Sequence, residues 1–332
     1  MNLLTVSGSP HVYTQDSVSK IMYGVVLSLL PAALVSFYFF GLAAIVLTLT
    51  AIASCMFFEF IIQKYILQGP VTIFDGSAVV TGILLAFIVP ANLPLWMVMI
   101  GSLVSIGMGK MTFGGLGKNI FNPALVGRVF LMISFPVDMN IYPQPQPLNT
   151  SLTDIITGPT PLAVVKEGIS QGEKVLELLP QVPEYADLMM GNLGGSAGEI
   201  SAIAILIGGL YMLWRKLITW PVPTAYLGSV IVLAGVLWLI DPTQYVNPMF
   251  HLITGGIMLG ALYMATDMVT SPMTKWGMIV YGIGCGFLTI LIRVFGAYPE
   301  GVAFAILIMN AFVPLINRGF KPKRFGEEVK NG

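Results

Sequence analysis

Long apolar runs separated by short polar segments fill most of the chain from residue 21 onward. A helix crosses a hydrocarbon core of about 30 Å with roughly 20 apolar residues, and with fewer where it is broken and buried in protein. About ten runs fit this pattern, so we predict an all-α integral membrane protein. The predicted transmembrane helices are residues 21–40, 42–62, 77–89, 95–108, 123–135, 200–213, 221–240, 253–265, 277–294 and 301–316.

Composition supports a membrane location. Hydrophobic residues make up 56% of the chain and charged residues only 10%, whereas soluble domains carry about 25% charged residues. The 16 basic and 16 acidic residues balance, so there is no basic excess that would indicate a nucleic-acid partner. Lipid is therefore the expected surroundings of most of the surface.

Basic residues predict the orientation of the helices. Ten spans place both termini on one side, and if that side is the cytoplasm, 12 of the 16 lysines and arginines fall in cytoplasmic segments. Lys166, Lys174 and Arg293 fall outside, and Arg128 lies within a span. Positive residues favour the cytoplasmic side, so we predict cytoplasmic termini and an extracytoplasmic loop, rich in acidic residues, over 136–198.

A weak internal repeat divides the membrane part into two halves. Trp96 and Trp276 match at an offset of roughly 180 residues, and five spans per half make the two repeats inverted. Such repeats often build a buried site near the midplane, although glycines that only allow close helix packing explain part of the pattern. The predicted regions are an N-terminus over 1–20, a first membrane repeat over 21–135, the loop over 136–198, a second repeat over 199–317 and a basic tail over 318–332.

Residues 154–162 of the loop, Asp-Ile-Ile-Thr-Gly-Pro-Thr-Pro-Leu, form a turn by their physical properties, because glycine and proline interrupt regular structure. The stretch also resembles the acceptor motif D-x-x-[ST]-G-A-T, on which a flavin transferase esterifies the phosphate of FMN to the last threonine. By this resemblance Thr160 carries covalent FMN, and Asp154, Thr157 and Gly158 belong to the acceptor motif. Pro159 stands where the motif has alanine. An exposed turn would present the hydroxyl to the transferase.

Further stretches, residues 113–128, 194–201 and 264–272, are similar to the same family over nearly the whole chain. The family is that of RnfD, a membrane protein of the Rnf ion-translocating ferredoxin:NAD oxidoreductase complexes, and its sister is NqrB of the Na⁺-translocating NADH:quinone reductases. The resemblance implies a subunit of the prokaryotic cytoplasmic (inner) membrane that passes electrons between ferredoxin-side and NAD-side subunits, coupled to Na⁺ or H⁺ translocation. It also implies Rnf subunits A, B, C, E and G as partners, and a noncovalent riboflavin as a second cofactor.

Asn119, Asn122 and Arg128 are candidate contacts of that riboflavin or of another flavin. The asparagines precede a short predicted helix, where hydrogen bonds to a flat polar ligand and ordinary capping are equally good interpretations. Arg128 lies within a span, where a charge is either functional or paired. An ion pair with Glu199 is the structural alternative.

Asp267, Thr270 and Ser271 follow the eighth predicted span and are candidates for a cation path, because hard oxygen ligands suit Na⁺ or H⁺ traffic. The alternative is that Asp267, like Glu59 and Asp75, reaches water at the end of a helix and has no further role.

Other function classes remain open. The inverted repeat and short helices would also suit a secondary transporter or a channel, which has no use for the Thr160 motif. The chain holds two cysteines, Cys55 and Cys285, both in apolar runs, so it has no iron–sulfur cysteine cluster, and its glycine-rich stretch lacks a dinucleotide fingerprint. We predict no catalytic residue and no metal site in this chain, which would act only as a subunit of a translocase.

Overall fold

The computed structural model describes residues 17–69, 71–150 and 156–321. Most of this part of the chain is helical. The helices are α1 (Val18–Ile61), α2 (Ser77–Phe87), α3 (Leu95–Gly107), α4 (Pro123–Ser134), α5 (Pro136–Asn140), α6 (Pro161–Ser170), α7 (Val175–Leu178), α8 (Tyr185–Met190), α9 (Ala202–Trp214), α10 (Pro221–Ile240), α11 (Pro248–Ile253), α12 (Ile257–Leu259), α13 (Lys275–Phe295) and α14 (Val302–Gly319).

Shorter elements complete the described structure. A pair of two-residue strands, β1 (Tyr142–Pro143) and β2 (Thr157–Gly158), run antiparallel in the central loop. The remaining turns of helix are π segments at Ile62–Ile66 and Gly260–Met264 and 3₁₀ segments at Ile73–Asp75, Met111–Phe113 and Leu179–Gln181.

The structure confirms an all-α membrane protein. Within the described ranges, five helical stretches are long and apolar enough to cross a membrane: Val18–Ile66, Leu95–Phe113, Pro221–Ile240, Lys275–Phe295 and Val302–Gly319. The shorter apolar helices α2, α4 and α9 occupy three more predicted segments, and the eighth is a broken run formed by α11, α12 and the following π turn. The count of ten crossings and the inverted repeat stay predictions.

The first helix reverses direction near its middle. Met22 lies against Gly76, where a Cβ would be 3.1 Å from that of Met22. The next residue, Ser77, accepts a hydrogen bond from Lys110, which also donates to Glu59. A straight helix would hold Met22 and Glu59 about 55 Å apart. Both ends of α1 therefore lie at the same end of the molecule, as the two predicted segments 21–40 and 42–62 require.

Gly41 makes this reversal. Its backbone has φ 59° and ψ −140°, outside the helical region, and a Cβ there would overlap the carbonyl oxygen of Asn149. The conformation is accessible essentially only to glycine. A residue without a side chain is therefore required where α1 turns back.

Residues 144–149 satisfy the backbone groups that the break releases. The amide of Leu148 donates to the carbonyl of Tyr38 at 2.8 Å, and the amide of Leu42 donates to the carbonyl of Asn149 at 2.9 Å. Backbone groups away from water need such partners inside the protein. The central loop thus holds the end of the α1 hairpin.

The helices share one buried core. In the first half α1 packs against α2, α3 and α9, and in the second half α13 packs between α10 and α14. The central loop enters this core: the amides of Ala197 and Gly198 donate to the carbonyls of Val89 and Phe87 at 3.1 and 2.9 Å. The segment that leads to α9 is therefore fixed against the end of α2.

We expect Gly41→Ala to destabilise the protein, because alanine would need a left-handed conformation that costs about 1–3 kcal/mol and would also overlap Asn149. Thermal unfolding of the purified chain in detergent measures the effect. Gly228→Ala in α10 is the matched control, since its Cβ would have no heavy atom within 4 Å. Equal unfolding temperatures for both variants would contradict the role of Gly41.

Candidate functional site

Thr160 begins α6 and is buried, with 5% of its surface exposed. Its Oγ1 accepts a hydrogen bond from the amide of Ala163 at 3.2 Å, which makes it the N-cap of the helix. The expectation that Thr160 lies on an exposed turn is therefore wrong. The turn is drawn inward because Leu162 and Val165 of α6 pack into the core.

The other residues of the expected acceptor motif have different surroundings. Thr157 is exposed and Gly158 half-buried, and together they form β2, which pairs with β1. Asp154 lies outside the described residues. Gln144 packs so closely on Gly158 that a Cβ there would lie 2.5 Å from its Nε2. The strand pairing and this contact hold the motif against the rest of the loop.

A small pocket with about 10 Å³ of free space lies beside Thr160. Its walls come from α6, from the segment before α9, from the break between α11 and α12, and from the segment before α14. The polar residues among them are Thr160, Ser196, Glu199, Thr254 and Glu300. The candidate acceptor hydroxyl therefore shares a pocket with two carboxylates.

Arg128 of α4 joins these carboxylates. Its Nη1 donates to Glu199 Oε1 at 2.9 Å and its Nη2 donates to Glu300 Oε2. All three side chains are buried, with at most 7% of each side chain exposed. The ion pair with Glu199, expected as the structural alternative for Arg128, is confirmed, and no riboflavin contact by Arg128 follows from the geometry.

Two polar atoms of this cluster, Arg128 Nε and Glu199 Oε2, have no hydrogen-bond partner within the described structure. Gly256 allows the carboxylate of Glu199 to approach, because a Cβ at that position would overlap it. Glu300 was missed by sequence analysis. The available signal was that a buried arginine needs compensating charge, and Glu300 directly precedes the last apolar run.

A second, larger cavity of about 110 Å³ lies at the end of the molecule where α2 and α4 begin. The charge pattern of the sequence predicts that this is the cytoplasmic end. Asn119, Asn122 and Asp267 line it, together with apolar residues that include Leu84 and Leu116. The structure thus brings together three of the residues that the sequence singled out.

The side-chain oxygens of the two asparagines differ in their hydrogen bonds. Asn122 caps α4, because its Oδ1 accepts from the amides of Ala124 and Leu125 at 3.1 and 3.4 Å. Asn119 donates to the carbonyl of Phe121 at 3.2 Å, and its Oδ1 is buried without a partner in the described structure. Capping therefore explains Asn122, whereas Asn119 has a free acceptor at the cavity.

Asp267 and Thr270 meet, but Ser271 joins them only through its backbone. The hydroxyl of Thr270 donates to Asp267 Oδ2 at 3.1 Å, and the amide of Ser271 donates to the Asp267 carbonyl. Burial raises the pKa of Asp267, and its hydrogen bonds from Val269 and Thr270 oppose that rise. The carboxylate is thus a partly buried group at the mouth of the cavity, rather than a helix-end residue in free contact with water.

The cavity also borders an ion pair that sequence analysis did not find. Lys110 donates to both carboxylate oxygens of Glu59 at 2.8 and 2.7 Å and to Ser77 Oγ at 2.5 Å. Lys110 is 2% exposed and Glu59 is fully buried. The alternative that Glu59 reaches water at the end of a helix is wrong, because Lys110 neutralises its carboxylate inside the protein.

Comparison with known proteins identifies the family. The family model described as NQR2, RnfD, RnfE matches residues 5–326. The chain belongs to this family. Named members of this family are similar to this chain over nearly their whole length.

One relative, the D subunit of the proton-translocating ferredoxin:NAD(+) oxidoreductase complex of Clostridium ljungdahlii, is 43% identical over 98% of this chain and 97% of its own. The D subunit of the Na(+)-translocating ferredoxin:NAD(+) oxidoreductase complex of Acetobacterium woodii is 43% identical over 97% and 95%. The D subunit of the ion-translocating oxidoreductase complex of Stutzerimonas stutzeri is 39% identical over 95% and 94%. The resemblance to the RnfD family is confirmed.

We expect Arg128→Leu to destabilise the protein by about 3–5 kcal/mol, because it leaves two buried carboxylates without their cation. Glu199→Gln should cost less, since Arg128 keeps Glu300 and glutamine can still accept a hydrogen bond. Thermal unfolding in detergent compares the two variants. A smaller effect for Arg128→Leu than for Glu199→Gln would show that Arg128 does not hold the cluster together.

Proposed function

We propose that this chain is the flavin-carrying membrane subunit, of the RnfD type, of an ion-translocating ferredoxin:NAD⁺ oxidoreductase complex. It passes electrons between the ferredoxin side and the NAD side, coupled to ion movement. The observation that carries the proposal is the 43% identity to two such subunits over at least 95% of each chain. The chain's two cysteines are both buried and free and its glycine-rich stretch lacks a dinucleotide fingerprint, so we assign the iron–sulfur centres and the NAD site to the partner subunits A, B, C, E and G.

The transported ion is Na⁺ or H⁺. One relative is named as proton-translocating and the other as Na⁺-translocating, and both are 43% identical to this chain. Sequence identity therefore supports ion translocation by the complex but does not distinguish Na⁺ from H⁺.

Covalent FMN on Thr160 is the first cofactor of the proposal. Thr160 stands at the N-terminus of α6, where the amides of the first turn and the helix dipole favour a phosphate group. Its ester oxygen can still accept the hydrogen bond from Ala163. When bound, the flavin supplies one- and two-electron redox chemistry. Glu199 and Glu300 of the same pocket disfavour negative charge beside it, and Arg128 offsets them.

The burial of Thr160 sets a condition on its modification. A transferase can reach the hydroxyl only while the start of α6 is released from the core, because 5% exposure leaves no room for an enzyme. We infer that flavinylation precedes the packing of α6 or uses a local opening of it. Local openings of this kind cost less free energy than global unfolding.

A noncovalent riboflavin at the cavity lined by Asn119 and Asn122 is the second cofactor of the proposal. The unpartnered Oδ1 of Asn119 supplies an acceptor, and apolar side chains such as Leu84 and Leu116 supply walls for a flat ring. Binding sites for small molecules commonly combine such walls with a few placed polar groups. The residues present therefore fit the group.

Helix α4 connects the two candidate flavin sites. Asn122 caps its start beside the cavity, and Arg128 reaches the carboxylates of the Thr160 pocket. These two residues are about 9 Å apart along the helix axis. A rigid helix between two redox groups suits an electron path through this subunit.

Asp267 is the proposed entry point for the cation. It lines the same cavity as Asn119, its carboxylate is partly buried, and Thr270 fixes its orientation. A carboxylate beside a redox cofactor provides electrostatic coupling between cation and electron.

We expect wild type, co-expressed with a flavin transferase, to carry the added mass of FMN and in-gel flavin fluorescence after denaturation. Thr160→Asn and Thr160→Val should lose both, since neither side chain offers a hydroxyl. Thr160→Asn should keep near wild-type stability because asparagine is a good N-cap, while Thr160→Val should lose about 1 kcal/mol. Flavin retained by Thr160→Asn would place the attachment elsewhere.

Asn119→Leu and Asp267→Ala separate the two functions of the cavity. In the purified complex we expect Asn119→Leu to lose at least half of the riboflavin released by denaturation, measured by chromatography. Asp267→Ala should keep that flavin and lose at least about tenfold in ion transport into vesicles. Unchanged transport by Asp267→Ala would contradict the cation entry, and full riboflavin in Asn119→Leu would contradict the flavin site.

A further inference from the structure

A third cavity, of about 380 Å³, lies between α6, the loop before α11 and the end of α13. Leu162 lines both this cavity and the pocket of Thr160, and its side chain lies between the two. Phe295, 67% exposed, stands at its edge, so the cavity opens to the protein surface. By the predicted orientation this opening is at the extracytoplasmic boundary of the membrane.

Two cations line this cavity. Lys166 donates to the carbonyls of Ile292, Arg293 and Tyr298 at 3.4, 3.1 and 2.7 Å. Arg293, 4% exposed, donates from Nη1 to the carbonyl of His251 and from Nη2 to that of Thr254. Both side chains therefore bond to neutral carbonyls, and these bonds leave their positive charges uncompensated.

The lining of the cavity contains no acid: among the described residues that line it there is no aspartate or glutamate. Glu300 and Glu199 act on Arg293 electrostatically from the neighbouring pocket, where both bond to Arg128. Burial and the charge of Arg293 lower the pKa of Lys166. A partly buried lysine beside a buried arginine, neither with an ion-pair partner in the described structure, is costly unless an anion joins them.

Two residues of the lining also hold buried nitrogen atoms without a partner. Arg293 Nε is buried and has no hydrogen-bond partner in the described part of the chain, and the same holds for Nδ1 of His251, which is 6% exposed. Arginine binds phosphate and carboxylate oxygens with charge-assisted hydrogen bonds. The base of the cavity is thus prepared for an anion.

The apolar walls of the cavity favour an amphiphilic anion over a small hydrated one. Val165, Ile169, Val246, Phe250 and Phe295 make most of the lining apolar. A small hydrated anion gains nothing from such walls, whereas an acidic phospholipid places a phosphate at the base and its apolar chains along them. The phosphate of a flavin on Thr160 would lie in the neighbouring pocket, because Thr160 does not line this cavity.

We propose that this cavity binds the phosphate group of an anionic amphiphile, and that the occupant is an acidic phospholipid of the predicted extracytoplasmic leaflet. Arg293 supplies a buried positive charge at the phosphate, and Lys166 adds a second positive charge beside it. The proposal is independent of the proposed flavin on Thr160.

Native mass spectrometry of the delipidated full chain, titrated with dioleoyl phosphatidylglycerol, tests this site. We expect one tightly bound phosphatidylglycerol in wild type and affinity lowered at least about tenfold in Arg293→Gln, the size of one lost charge-assisted hydrogen bond. Lys166→Gln, at a partly buried position, should also weaken binding. Arg293→Lys should retain part of it. Arg318→Gln is the matched control, because Arg318 does not line the cavity and lies in the last turn of α14.

Further binding measurements identify what occupies the cavity. Thr160→Asn should bind phosphatidylglycerol like wild type, which separates this site from flavin attachment. Neutral dioleoyl glycerol should not compete, and inorganic phosphate should compete only at far higher concentration. Wild-type affinity in both Arg293→Gln and Lys166→Gln would overturn the proposal, as would displacement of the lipid by inorganic phosphate at equal concentration.

Discussion

Charge that is buried away from water must be neutralised inside a membrane protein, and Arg128 shows how far this constraint reaches. Its guanidinium comes from α4, Glu199 from the segment that enters α9, and Glu300 from the segment before α14. Three parts of the chain, from both predicted repeats, therefore meet at one cation. The short helices are positioned by this meeting point, since α4 alone has too few apolar residues to cross a bilayer unsupported.

The second constraint is that backbone groups need partners wherever helices break. At Gly41 the central loop supplies them through Tyr38 and Leu42. Between α11 and α12 the chain breaks again, and there Arg293 donates to the freed carbonyl of Thr254. In both places the same contact that satisfies the backbone also fixes the central loop or the second half of the bundle around the Thr160 pocket. The candidate sites thus lie where the helices are interrupted.

Sequence patterns predicted the parts that depend on local properties. Apolar runs located the helices, and the ion pair of Arg128 with Glu199 could be expected because a buried arginine requires an acid. The pairs Lys110–Glu59 and Arg128–Glu300 were missed because each depends on how the helices pack: Lys110 and Glu59 lie near the ends of apolar runs, where contact with water is the simpler expectation, and one acid already sufficed for Arg128. The burial of Thr160 was missed for a similar reason: the predicted turn is instead the strand β2 at Thr157–Gly158 followed by the start of α6, and the depth of Thr160 depends on the packing of that helix.

The hydroxyl of Thr160 has an observed role as an N-cap and a proposed role as the acceptor of FMN, and the two roles conflict only until the flavin is attached. As an N-cap it must lie against the first turn of α6, and there it is buried by the helix it stabilises. As the proposed acceptor of FMN it would first have to be reached by another protein. After the proposed esterification the demands would agree again, because the ester oxygen could still accept from Ala163 and the phosphate would gain the field of the helix N-terminus. Lys166 binds α6 to the end of α13, so the contacts that close over Thr160 would also hold the proposed flavin in place.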